Sequence, residues 1–130
     1  MKRTVISLTF LVCLLVSGCM GSGPSHDEIQ IGTSENQEIG YIRNPGSRFP
    51  ANQPLIVQVV TPMAKTVHNL ELIIRQDDTR KIMMDEKWQE SYGGGGRTFY
   101  QVGLGWPKGQ YTLEFYRDNK LQTSAKLTLY

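Results

Sequence analysis

The run Tyr111-Thr112-Leu113-Glu114-Phe115-Tyr116 sets Tyr111, Leu113 and Phe115 against Thr112, Glu114 and Tyr116, a period of two that no helix can use. It demands a strand with one face buried. Arg117-Asp118-Asn119-Lys120 follows as a two-residue turn, because Asp and Asn at its centre tolerate positive φ. Leu121, Thr123, Ala125, Leu127 and Leu129 then carry the alternation along the second arm of a hairpin.

Similar patterns recur upstream. In Leu55-Ile56-Val57-Gln58-Val59-Val60, Leu55, Val57 and Val59 share one face of a β-branched run closed by Pro54 and Pro62, which predicts a well-buried strand. Leu70, Leu72 and Ile74 point inward from the next run, and Asp77-Asp78 turns the chain into Lys81-Ile82-Met83-Met84. Tyr100, Val102 and Leu104 form one side of a further strand, and weaker strands are expected over 29–33 and 38–42. No segment carries a sustained helical period, so the parallel α/β folds are excluded. About seven short strands in roughly 100 residues predict an all-β protein, an antiparallel β-sandwich over residues 29–130.

Leu104-Gly105-Trp106-Pro107-Lys108-Gly109-Gln110-Tyr111 resembles the corner before strand F of fibronectin type III and other immunoglobulin-like domains, where a Pro/Gly turn precedes a tyrosine. The resemblance implies an immunoglobulin-like sandwich in which the Tyr111 hydroxyl bonds back to the corner backbone.

At the other end of the chain, Met1-Lys2-Arg3, an apolar run over 5–16 and Ser17-Gly18-Cys19 stand in the order of a secretory signal. The apolar run is too short to span a bilayer stably. Val16-Ser17-Gly18-Cys19 resembles the bacterial lipobox, which implies removal of residues 1–18 and acylation of Cys19 as the new first residue. Cys13 leaves with the signal, so no intramolecular disulfide is expected, and acylation removes a thiol that would mispair in an oxidising compartment. Several acyl chains exceed what stable anchoring needs. Met20 stands where an Asp would favour retention at the inner membrane, which implies the outer membrane, with the domain facing the periplasm. Residues 19–28 are small and polar, and a disordered tether is expected there.

The 14 Lys and Arg outnumber the 12 Asp and Glu, yet Lys2 and Arg3 account for the whole excess. The neutral remainder has no electrostatic footprint for nucleic acid.

Gly93-Gly94-Gly95-Gly96-Arg97 lacks the lysine and following helix of a phosphate cradle, and a loop is expected instead. His26 and His68 have no evident serine or cysteine partner, and Asp85 and Glu86, adjacent on a strand, point to opposite faces. No enzyme and no cofactor are expected. Met63, Met83, Met84 and His68 are the residue types that select copper, although alternation should place one of Met83 and Met84 in the core and the other in solvent.

Trp88, Tyr92 and Trp106 lie outside the strong alternations, near expected turns, and tryptophan and tyrosine anchor interfaces or stack on sugars. The two tryptophans would otherwise cap the ends of the sandwich. Trp88, Tyr92 and Arg97, around the glycine run, with Trp106, are the candidate partner-binding residues. The expected function is that of a non-enzymatic envelope lipoprotein acting as a binding or assembly module for an envelope protein. The alternatives are a periplasmic inhibitor or accessory subunit of an enzyme or secretion complex, and a copper- or carbohydrate-binding domain.

Overall fold

Strands alternate with turns throughout the computed structural model, which describes residues 26–36, 41–91, 93 and 95–130. In chain order they are β1 (Glu28–Gly32), β2 (Ser34–Asn36), β3 (Tyr41–Arg43), β4 (Arg48–Phe49), β5 (Leu55–Thr61), β6 (His68–Gln76), β7 (Ile82–Glu90), β8 (Gly96–Val102), β9 (Gly109–Arg117) and β10 (Lys120–Leu129). One sheet runs β1-β5-β8, the facing sheet runs β4-β10-β9-β6-β7, and β2 and β3 form a separate ribbon. Among the described residues there is no helix. Ten strands are found among the described residues where about seven were expected, and their wiring is that of an immunoglobulin-like sandwich.

The core is what the period of two prescribes. Leu55, Val57 and Val59 of β5 meet Leu72, Ile74, Tyr111, Leu113, Phe115 and Leu127 from the facing sheet, all with no exposed area. A full aliphatic side chain buried this way stabilises by about 1.5–3 kcal/mol, so the two inner faces supply the main cohesion. Asp118 and Asn119 have φ of 49° and 66°, the paired positive values of the expected turn between β9 and β10.

Several expectations need correction. The sandwich is not wholly antiparallel, because β4 pairs parallel to β10, Arg48 with Thr128 and Phe49 with Leu129. The strand expected at Lys81–Met84 continues to Glu90, so Trp88 lies inside β7 rather than near a turn. Met83 and Met84 both pack against the core, because the register slips from Ile74 opposite Met84 to Arg75 opposite Ile82 and Met83 becomes the extra residue of a bulge. The strand expected over 38–42 begins at Tyr41, and residues 37–40 lie outside the described residues. The folded chain also starts ahead of the expected boundary, since Glu28 already pairs with Val60.

Candidate binding cleft at the entry end of the sandwich

The chain enters the domain at the end of the sandwich where β5, β7 and β9 finish and β1, β6, β8 and β10 begin. Arg117 is the last residue of β9 and pairs with Leu70, so it inherits the inward face of Tyr111, Leu113 and Phe115. A guanidinium between two sheets must be matched by carboxylates. Asp27 supplies one bidentately, with Nη1 donating to Oδ2 at 2.6 Å and Nη2 to Oδ1 at 2.8 Å. The Phe115 ring lies 5.7 Å from the guanidinium carbon, and the bond from Asp27 holds Arg117 above its ordinary pKa against the opposing effect of burial.

Glu90, the last residue of β7, is the second acid and, unlike half-buried Asp27, is buried. Its side chain is 4% exposed, its Oε2 lies 3.9 Å from Arg117 Nε, and its Oε1 has no hydrogen-bond partner. A hollow of about 200 Å³ opens beside it, lined by Thr61, Leu70, Trp88, Ser91, Gly95 and Thr98 among others. Trp88 forms one wall, its ring 6.0 Å from Phe115 and 5.7 Å from Tyr100, half-buried between the sheets.

Gly95 borders the hollow, and Gly93 and Gly95 both meet the segment after β5. Gly93 N–H donates to Ala64 O at 2.8 Å, and a Cβ on Gly95 would stand 2.6 Å from Pro62 O. Gly95 therefore marks a close backbone approach at a φ of 136°, which glycine alone tolerates.

Beside the hollow, His68 Nδ1 lies 2.6 Å from Asp118 Oδ2 and its Nε2 lies 3.1 Å from Thr66 Oγ1. The sequence suggested no such row, and the structure assembles one in the order hydroxyl, imidazole, carboxylate. Asp118 also accepts from the Asn69 N–H at 2.9 Å, so the same carboxylate staples the β9–β10 turn to the start of β6. That backbone bond, ahead of the one with His68, holds Asp118 below its ordinary pKa. The row is a surface feature, its His68 and Asp118 side chains 27% and 48% exposed.

The residues singled out in the sequence fall into different places. Trp88 joins the hollow; Arg97 lies in β8 opposite Val60, on the outward face; Trp106 lies at the far end, 5.3 Å from Tyr111. The Tyr111 hydroxyl donates to Pro107 O, four residues upstream, which is the bond the corner resemblance implies. Tyr92 and Cys19 lie outside the described residues. The copper set is not assembled: His68 pairs with Glu90 at one end of β6 and Met84 with Ile74 at the other, about 20 Å away along the strand. Among the described residues no three His, Cys, Asp or Glu side chains group as a metal site.

Arg117 and Glu90 escaped the sequence reading, although both carry a signal. Arg117 continues the inward parity of Tyr111, Leu113 and Phe115, and Glu90 that of Trp88, so each is a charge where alternation asks for an apolar side chain.

No family model matches the chain, and no curated protein matches it. Among solved structures it is similar to an immunoglobulin-like protein from Pseudomonas aeruginosa, with 10% identity over 79% of this chain and 92% of that one and a TM-score of 0.45. The strand order itself defines the class: this is an immunoglobulin-like β-sandwich.

Proposed function

We propose that the chain is a lipid-anchored, non-enzymatic binding module of the bacterial cell envelope, tied to the outer membrane through Cys19 and engaging an envelope protein through the entry end of its sandwich. Val16-Ser17-Gly18-Cys19 supports the anchor. The observation that carries the binding surface is the trio of buried Glu90 and half-buried Asp27 and Arg117, which holds two acids against one cation beside a hollow. A buried acid without a donor costs stability unless a further partner meets it. Fully extended, the chain from Cys19 to Asp27 spans at most about 28 Å, which keeps this end near the bilayer.

Growth with labelled palmitate tests the anchor. The chain is expected to take up label and partition into membranes, and Cys19→Ala to do neither; normal partitioning of Cys19→Ala overturns the anchor. Crosslinking in intact envelopes tests the surface: a photoreactive residue at Met63, 75% exposed beside the hollow, should yield a discrete adduct, and one at Leu104, 66% exposed at the far end, should not. Equal adducts from both positions would displace the surface.

A further inference from the structure

We infer that the hollow beside Glu90 is a binding site for a primary ammonium group; the inference rests on the reading of the entry end as the recognition surface. Charge is the first consideration. Arg117 spends both Nη groups on Asp27 and reaches Glu90 with Nε at 3.9 Å, beyond hydrogen-bond length. Counted as ions, Asp27, Glu90 and Arg117 leave one negative charge in excess, with side chains 12%, 4% and 17% exposed. Burying a carboxylate without a partner is costly, and a carboxylate oxygen that lacks a donor marks where one is missing.

The lining specifies which donor fits. A second guanidinium needs a planar pair of acceptors, and here a single buried oxygen lacks a donor. An ammonium is a compact charge with three donors, able to meet one carboxylate oxygen and two neutral oxygens at once. Thr61 and Thr98, inward-facing on the adjacent strands β5 and β8, and Ser91 just after β7 line the same hollow, and all three are hydroxyl residues. Trp88 adds the aromatic wall that favours a cation over a neutral amine. A volume of about 200 Å³ admits a single side-chain-sized group and excludes a folded ligand. The chemistry is shared by a free alkylamine and by a lysine side chain of a protein partner.

The test is a titration of the full chain in non-ionic detergent with n-butylammonium chloride, read by NMR at the backbone amides, with sodium butyrate as the control of opposite charge. Saturable shifts confined to Thr61, Trp88, Glu90, Ser91 and Thr98 are expected with butylammonium and not with butyrate. Glu90→Gln, which keeps the shape and removes the charge, is expected to weaken binding by about tenfold or more. A second arm uses N-acetyl-lysine methylamide: binding of both probes assigns the site to a lysine side chain, and binding of butylammonium alone assigns it to small amines.

Identical responses to the two salts, absence of saturation, or full binding by a folded Glu90→Gln would mean that the hollow holds water, and would overturn the inference. Should Glu90→Gln fail to fold, Trp88→Phe serves in its place and the titration of the unaltered chain still decides. Failure of the crosslinking experiment with intact amine binding would sink the surface and leave this site standing.

Discussion

The two ends of the sandwich are built by opposite rules. At the corner end the polar groups close on one another: Tyr111 is fully buried, its hydroxyl is taken by Pro107 O, and Trp106 packs on its ring. At the entry end Glu90 Oε1 is left without a partner, two acids share one guanidinium, and Gly93 and Gly95 meet the segment after β5. The same two sheets carry both ends, so the difference is not imposed by the fold. It teaches that tyrosine and tryptophan near a turn say little by themselves, whereas the state of their polar neighbours separates scaffold from site.

The sharpest way to break this contrast is to remove its central charge. Arg117→Ala strands one buried and one half-buried carboxylate and should cost about 3 kcal/mol in denaturant unfolding. Replacing the trio together, Arg117→Met with Asp27→Leu and Glu90→Met, should restore most of that stability while abolishing butylammonium binding, because an apolar filling of similar volume avoids the desolvation cost. If the single and the triple replacements unfold alike, the entry end is ordinary packing.

Next in size is the backbone of the glycine run. Gly95→Ala forces a Cβ onto Pro62 O and should cost about 2 kcal/mol, against about 1 kcal/mol for Gly93→Ala, where nothing lies within 4 Å. Equal thermal midpoints for the two variants would show that the approach of Gly95 to Pro62 does not constrain the run.

The corner should respond in stability alone. Tyr111→Phe removes one hydroxyl and leaves Pro107 O without its donor, at about 1 to 2 kcal/mol, and it should leave butylammonium affinity unchanged.

The smallest effects are electrostatic and match across the ends. Asp118 at the entry end is held below its ordinary value by the Asn69 N–H and His68, and Asp77 at the corner end by the Thr112 hydroxyl and Lys126. A lowered carboxylate contributes stability that is fully present above its unfolded value of 3.8 and is lost as pH falls through the lower folded value. Asp118→Asn and Asp77→Asn should each flatten the acid limb of the stability curve below pH 3.8. Glu71 has the opposite sign: the bond it shares with Asp85, then burial, raise it above 4.5, so its contribution is present below 4.5 and fades as pH rises. Glu71→Gln should remove that decline.

These contrasts also show what a sequence can disclose. Strand placement was legible because alternation is local: β5, β6, β9 and β10 each announce themselves within ten residues, as does the corner at Tyr111. The bulge at Met83 was not, since it arises from a register slip against β6 that no property of Met83 or Met84 encodes. Neither was the tight approach of Gly95 to Pro62, which joins residues from two links. The trio is the hardest case. Asp27, Glu90 and Arg117 lie far apart along the chain, and only the sandwich wiring makes them neighbours. What the sequence does show is a charged residue at an inward position on two strands, a question without its answer.

The fastening of Asp27 to Arg117 has a mechanical consequence. A pull on the chain ahead of Asp27 would act along β1, whose five residues are registered with β5 and would have to slide together rather than peel away singly. The two parallel Nη bonds stand before that strand and take the load first. Because Glu90 lies against the same guanidinium, tension entering at Asp27 passes to the floor of the hollow through one side chain, without crossing the core. On the proposed reading, a partner held there and the lipid anchor would bear against each other through that one guanidinium, over a few ångströms.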